Sequence, residues 1–150
     1  MRREVWLAHV PQQCILTGRT TGKMLTSEDL EAISYIQQAG WEIWYNPEME
    51  ITHQIPAWRL QKEYLLPFLR GIGFSRYVTR TIGVRPRYKP FLTLAYAGRD
   101  LLRILLHLCR YRTALRTHLG AACELQLYIS SFLSPWYLWR HGYLRERPDA

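Results

Sequence analysis

Two adjacent acids, Glu28 and Asp29, stand where a helix is predicted to begin, and such carboxylates can carry out general acid–base chemistry. A carboxylate in this position could remove a proton from an attacking hydroxyl group. The same residues also suit the first turn of any helix, because negative charge is favourable beside the free N–H groups and the positive end of the helix dipole. Both a catalytic and a capping interpretation therefore remain open.

His53 is the second residue with useful chemistry. It ends a predicted strand and lies just before the predicted start of a helix. An imidazole there could ligate a divalent metal ion or hydrogen-bond a phosphate group. A single histidine without neighbouring ligands is also a common structural residue, so the sequence supports either role.

A set of basic side chains follows His53 and could hold a diphosphate leaving group or face anionic lipid headgroups. The alternative is an ordinary solvated helix face. Residues 1–55 carry four basic and seven acidic side chains, whereas residues 56–150 carry sixteen basic and five acidic ones, a net charge of +11. This imbalance favours an anion-facing surface in the second part. The set consists of Arg59, Lys62, Arg70, Arg76 and Arg80.

The elements before residue 56 predict a small sheet with one helix. Residues 4–10, 41–45 and 49–54 have the composition or the alternation of strands. The helix between the first two begins after Thr26, a predicted N-cap, and ends at Gly40. Its buried side is predicted to consist of Leu30, Ile33 and Ile36.

The pattern becomes helical at Pro56, which fits the first turn of a helix. Residues 58–80 are amphipathic. Pro67 interrupts this stretch, and Gly71 and Gly73 follow it closely. We therefore expect a kink or a division into two helices there.

Two further helices are predicted over residues 91–110 and 113–133, with Pro135 as the stop of the second. The apolar side of the first is predicted to contain Leu94, Leu101, Leu105 and Leu108. An aromatic cluster then follows, which could anchor at a membrane interface or pack in the core. It consists of Trp136, Tyr137 and Trp139, beside Arg140.

Composition limits the class of protein. At 150 residues and 48% hydrophobic content, the chain is long enough for one domain with a buried core. The three cysteines show no metal-binding spacing, which favours a reducing compartment. No uncharged run reaches the ~20 residues that cross a bilayer. The cysteines are Cys14, Cys109 and Cys123.

The order of these motifs resembles the C-terminal portion of a family 2 glycosyltransferase of the GT-A fold, most closely the enzymes of cyanobacterial hormogonium polysaccharide biosynthesis. The resemblance covers nearly the whole chain. The similar pieces are Arg2-Arg3-Glu4-Val5-Trp6, Leu16-Thr17-Gly18-Arg19, Glu28-Asp29-Leu30-Glu31, Ala39-Gly40-Trp41, Tyr45-Asn46-Pro47, His53-Gln54-Ile55-Pro56 and Arg70-Gly71-Ile72-Gly73.

The resemblance implies transfer of a sugar from a nucleotide-sugar to a glycan or lipid-linked acceptor, assisted by a divalent cation, Mg²⁺ or Mn²⁺. By the same resemblance Asp29 is the catalytic base and Glu28 its acidic neighbour. His53 would approach the metal or the diphosphate. Arg59, Arg70 and Arg76 would lie on the diphosphate or acceptor side.

The sequence also departs from the family, because it contains no Asp-x-Asp metal motif. We therefore expect an α+β chain that carries only part of the enzyme. Residues 1–55 would be the acceptor-side end of the catalytic domain, with a partial GT-A-type sheet, and residues 56–150 a basic amphipathic helical region. On its own such a chain is expected to be inactive.

Two other readings remain open. The first is a non-catalytic basic protein that binds an anionic membrane or nucleic acid, and the second is a structural partner that completes the fold of another chain. Leucine-rich amphipathic helices beside arginine favour the membrane over nucleic acid. The expected location is cytoplasmic, peripheral to the inner face of the membrane.

Overall fold

The structure is a computed structural model that describes residues 2–20 and 23–144. Helices dominate it. In chain order the elements are α1 (Arg3–His9), β1 (Arg19–Thr20), β2 (Lys23–Met24), α2 (Glu28–Gln38), a 3₁₀ helix (Ala57–Leu60), α3 (Lys62–Thr81), a second 3₁₀ helix (Pro86–Tyr88), α4 (Lys89–Tyr111), a third (Arg112–Arg116) and α5 (Leu119–Arg140).

The predicted α+β fold with a partial GT-A-type sheet is wrong. Within the described ranges, β structure is limited to one antiparallel pairing of the two-residue strands β1 and β2. Residues 4–10, predicted as a strand, lie mostly in the helix α1. Residues 41–45 and 49–54 have no regular secondary structure. Strand composition alone does not form a strand, since a strand also needs a neighbour to accept its backbone hydrogen bonds.

Helix α2 occupies nearly the predicted range, but its capping and burial differ. Ser27, not Thr26, precedes the helix, with a positive φ of 77° and no side-chain cap. Gly40 follows the helix with a φ of +86°, a conformation that glycine adopts without strain. Ile36 is buried as predicted, whereas Leu30 is exposed.

Helix α3 continues through Pro67 and the following glycines, so of the two predicted outcomes, a kink or a division, the division into two helices is wrong. Gly73 instead provides space for α5. A Cβ atom on Gly73 would lie 1.9 Å from Oγ of Ser130 and 2.9 Å from the carbonyl oxygen of Leu127. The glycine therefore allows the two helices to approach more closely than any side chain would permit.

Helix α4 agrees with its prediction to within about two residues at each end, an ordinary uncertainty for helix ends. Helix α5 begins later than predicted and continues through Pro135 to Arg140, so proline does not stop it. Ser134, directly before Pro135, is fully buried and links α5 to α3. Its hydroxyl donates to the carbonyl oxygen of Phe74 and accepts from the backbone N–H of Tyr77 at 3.0 Å.

The core joins the loop before α2 to the pair α3 and α5. Leu16 and Leu25 pack with Phe74 and Val78 of α3 and with Leu138 of α5. The rings of Phe74 and Tyr137 stack with centroids 3.8 Å apart. The core thus contains residues from both sides of position 56.

The cysteines of α4 and α5 differ in exposure. Cys109 of α4 is exposed, whereas Cys123 of α5 is buried. Burial raises the pKa of the Cys123 thiol, which keeps it protonated and unreactive. Among the described residues, every helix is too short or too polar to cross a membrane.

Candidate functional site

The acid pair lies in the first turn of α2, as the sequence predicts. Both Glu28 and Asp29 are exposed to solvent. One carboxylate oxygen of Asp29 accepts a hydrogen bond of 2.9 Å from the backbone N–H of Leu30. This contact satisfies a free N–H group of the helix start, so the capping interpretation of Asp29 has direct structural support.

A third acid of the same run, Glu31, is fully buried. Its two carboxylate oxygens accept hydrogen bonds from the backbone N–H groups of Ile15 at 2.8 Å and Leu16 at 2.7 Å. The hydroxyl of Tyr35 donates a third, at 3.3 Å. Bonds from N–H groups to a carboxylate are charge-assisted, and they offset the cost of burying the acid. Glu31 therefore fixes the loop before Gly18 against α2.

Gly18 brings that loop next to Glu28. Its φ is +71°, and a Cβ atom on it would lie 2.9 Å from the Oε1 atom of Glu28. A side chain at this position would be strained by the backbone, and the carboxylate of Glu28 would have to shift to make room for it. Two motifs of the resemblance, Leu16-Thr17-Gly18-Arg19 and Glu28-Asp29-Leu30-Glu31, are thus adjacent in space.

The resulting arrangement is a pair of exposed carboxylates at the start of α2, with Glu28 beside the Gly18 loop and Asp29 next to it in the chain. Asp29 keeps one oxygen that forms no hydrogen bond within the described parts of the chain. An oxygen of this kind can accept a proton from a bound hydroxyl group. Chemically, the site can therefore supply a base.

His53 lies in the exposed stretch of residues 41–56, away from regular secondary structure. Within residues 2–20 and 23–144, no three His, Cys, Asp or Glu side chains are close enough to hold a metal ion. A divalent cation needs several oxygen or nitrogen ligands, and His53 alone does not provide them. Within the described residues, His53 therefore lacks the further ligands that the implied Mg²⁺ or Mn²⁺ would need.

The resemblance places three arginines on the diphosphate or acceptor side, and two of them contact aromatic rings on their own elements. The guanidinium of Arg59 lies 5.2 Å from the ring centroid of Trp58, and that of Arg70 lies 5.4 Å from the ring of Phe74. Arg59 precedes α3, whereas Arg70 is one of its exposed residues. These contacts support local packing and do not by themselves create an anion site.

Arg76 is half-buried at the junction of α3, α4 and α5. Burial lowers the pKa of its guanidinium, and the positive charges of Arg80 and Arg103 lower it further, while Asp100 opposes them. Its Nη1 atom is buried and forms no hydrogen bond within the described residues. Arg76 therefore belongs to an internal polar group.

The centre of that group is Asp100 of α4, which is fully buried. Arg80 of α3 binds both of its oxygens, at 2.6 and 3.0 Å, and the hydroxyl of Ser131 of α5 donates at 2.7 Å. Burial raises the pKa of the Asp100 carboxyl, but the hydrogen bonds from Arg80 and Ser131 outweigh this effect. The pKa is therefore below its ordinary value. One carboxylate connects three helices.

The predicted site residues thus lie on several different elements. Glu28 and Asp29 lie at the start of α2, and His53 lies in the exposed stretch. Arg59 lies in the first 3₁₀ helix, and Arg70 and Arg76 lie on α3. Sequence reasoning missed Glu31 and Asp100, because their partners are distant in sequence. A buried acid shows no local spacing pattern, although Asp100 is the only acid in α4, which gave a weak signal.

Comparison with known proteins provides no relative. No protein-family model matches the chain, and searches of curated proteins and of solved structures found no match.

Proposed function

We propose that this chain contributes the acceptor side of a glycosyltransferase, in which Asp29 is the general base for the attacking hydroxyl group. The observation that supports this proposal is the contact between the two motifs. Glu31 holds the backbone of Ile15 and Leu16, and Gly18 lies against Glu28. The two motifs carry the resemblance to family 2 enzymes, and they are adjacent in space beside the exposed acids Glu28 and Asp29.

In the proposed step, the proton of the acceptor hydroxyl passes to the free oxygen of Asp29. The acceptor oxygen forms a bond to the anomeric carbon of the donor sugar, while the bond from that carbon to the diphosphate breaks. The nucleoside diphosphate leaves with the electron pair. Glu28 supports the site through its contact with the Gly18 loop.

Residues outside these 150 would bind the donor, since the sequence contains no Asp-x-Asp motif. The test therefore joins residues 1–150 to the nucleotide-sugar-binding half of a similar enzyme and measures sugar transfer. We expect transfer by the joined protein and none by the chain alone. Sugar transfer by residues 1–150 alone would contradict the proposal that other residues bind the donor.

The decisive variant is Asp29→Asn in the joined protein. We expect turnover to fall by ~10²–10⁴-fold, because asparagine cannot accept the proton. The melting temperature should hardly change, since asparagine still suits the start of a helix. Glu28→Gln should reduce turnover less, and Glu48→Gln, an exposed acid outside the site, is the control. Near-full turnover of Asp29→Asn with a lower melting temperature would assign Asp29 to capping alone.

A further inference from the structure

We propose that the outer face of α4 and α5 binds an anionic lipid bilayer. The outer face means the exposed large apolar side chains of the two helices between Phe91 and Trp139. There are seven in α4 and five in α5. This inference does not depend on the transferase proposal, because it concerns a different surface.

Helix α4 buries polar side chains and exposes apolar ones, which is the reverse of an ordinary surface helix. Its fully or nearly buried residues are polar, Asp100 and His107, whereas Leu94, Leu101 and Leu105 are exposed by 75%, 45% and 52%. These leucines follow the spacing of one helix side. In a surface helix that faces only water, the apolar side would point to the core. The apolar side of α4 therefore points to something other than water.

Helix α5 exposes apolar side chains in a similar way between residues 129 and 139, although it also buries Leu138 in the core. Ser130 and Ser131 are buried between the helices, whereas Leu133, Trp136 and Trp139 are exposed. The buried hydroxyls are satisfied, because Ser130 donates to the carbonyl oxygen of Gln126 and Ser131 to Asp100. The polar interior is thus hydrogen-bonded and not a packing error.

The two apolar sides approach each other near Leu94 of α4 and Phe132 of α5. Leu94 and Ala97 of α4 and Pro135 of α5 line the same shallow depression. Phe132 of α5 borders a neighbouring small cavity with Ala97 and Pro135. An exposed apolar surface that continues across two helices is larger than the isolated apolar side chains that cover most proteins.

The positive charge near this apolar surface indicates which partner it binds. Residues 89–140 carry seven basic and two acidic side chains, and one of those acids, Asp100, is bound by Arg80. The guanidinium of Arg140 lies 5.2 Å from the ring centroid of Trp136. Tryptophan beside arginine, next to an apolar surface, is typical of the headgroup region of a bilayer. A second copy would bring together two positive surfaces, which repel, whereas an anionic bilayer attracts them.

Flotation with vesicles tests the surface. The probes are phosphatidylcholine vesicles and vesicles of phosphatidylcholine and phosphatidylglycerol in equal parts. We expect the full chain to float with the anionic vesicles and less with the neutral ones. The variant Leu102→Glu with Leu105→Glu should lower the partition coefficient by roughly tenfold or more per leucine. The matched control is Leu7→Glu with Leu60→Glu, equally exposed leucines outside this surface, which should bind like the unmodified chain.

Charge and depth give independent measurements. Arg99→Gln and Arg110→Gln should each weaken binding to anionic vesicles by about fivefold, which is ~1 kcal/mol per charge. In the unmodified chain, lipids with brominated acyl chains should quench tryptophan fluorescence. Trp136→Phe with Trp139→Phe should remove most of that quenching, and Trp44→Phe should not. This comparison needs no destabilising substitution.

Three results would overturn the proposal. One is failure of the chain to float with anionic vesicles. Another is tight binding to nucleic acid without binding to vesicles at the same salt concentration. The third is a stable dimer that the Leu102→Glu and Leu105→Glu variant dissociates, combined with no vesicle binding, which would assign the surface to a second copy.

Discussion

Residues 41–56 and helix α4 both expose large apolar side chains, but their backbones differ. In α4 each interior amide is bonded within the helix. In the exposed stretch, the N–H groups of residues 42–45 and 50–55 form no backbone hydrogen bonds within the described parts of the chain. The apolar face of α4 is therefore the surface of a finished element. The exposed stretch has apolar side chains and an unpaired backbone, as expected of a segment without a partner layer.

This difference teaches that exposure of apolar residues has two origins. In α4 the apolar side is exposed because polar residues are the buried ones, and Asp100 binds side chains of α3 and α5. Residues 41–56 are all exposed, so none of them contributes a buried residue to the core. Substitutions should therefore have large effects in the helical part and small ones in the exposed stretch.

The largest effect is expected for Asp100→Ala. This change leaves Arg80 and Arg76 at the helix junction without their carboxylate. Removing one partner of a buried ion pair costs ~3–5 kcal/mol of unfolding free energy. Urea denaturation followed by circular dichroism measures it, with Glu50→Ala in the exposed stretch as the control. A loss below 1 kcal/mol would show that Asp100 does not hold the three helices together.

Acid should weaken the same junction to a smaller extent. Because the pKa of Asp100 is lower in the folded chain than its unfolded value of about 3.9, its stabilisation is complete above that value and is lost as pH falls through the folded pKa. The loss should be smaller than in Asp100→Ala, since a protonated carboxyl still bonds Ser131. Melting temperatures measured from neutral to acid pH test this. The decrease of the melting temperature with falling pH should be less steep in Asp100→Ala than in the unmodified chain. Equal slopes in both proteins would exclude Asp100 as the source.

Gly73→Ala should have an intermediate effect. The new Cβ atom would meet Ser130 and the backbone of Leu127, and such overpacking costs ~1–3 kcal/mol. Gly98→Ala is the matched control in α4, because nothing lies within 4 Å of its added Cβ. That change should stabilise the helix by up to ~1 kcal/mol. Equal effects of the two substitutions on chemical denaturation would show that the α3–α5 contact is not tight.

The smallest effect is expected in the exposed stretch. Trp44 is 83% exposed, and Trp44→Ser should change the unfolding free energy by less than about 0.5 kcal/mol. Leu138→Ala, at a fully buried position of α5, should cost ~2–5 kcal/mol. A loss of more than 1 kcal/mol in Trp44→Ser would mean that the stretch packs against the remainder of the protein.

Local signals located α2 and α4 closely, whereas α1 had the composition of a strand. The acids and Gly40 located α2, and the leucine periodicity located α4. The periodicity did not reveal which side of α4 faces the interior, because a helix that buries its polar side has the same spacing. The side that is buried depends on Asp100, whose partners Arg80 and Ser131 are 20 and 31 residues away.

Predictions failed where the outcome depends on a distant partner. Residues 41–45 have the composition of a strand, but no described strand pairs with them. Pro135 does not end α5, because burial of Leu138 and the stacking of Tyr137 on Phe74 favour a longer helix. The sequence placed Glu28 and Asp29 correctly at the start of a helix. It did not reveal the role of Glu31, whose partners Ile15 and Leu16 precede it by 16 and 15 residues.

The two cysteines of α4 and α5 can report on the state of the helices, because they differ in exposure. Cys109 is open to solvent, and the buried, protonated Cys123 is not. A maleimide dye added to the native protein should therefore mark Cys109 quickly and Cys123 only when α5 separates from its neighbours. The ratio of the two labels, read by mass spectrometry, would follow in one sample both the covering of α4 and the opening of the bundle, without any introduced cysteine.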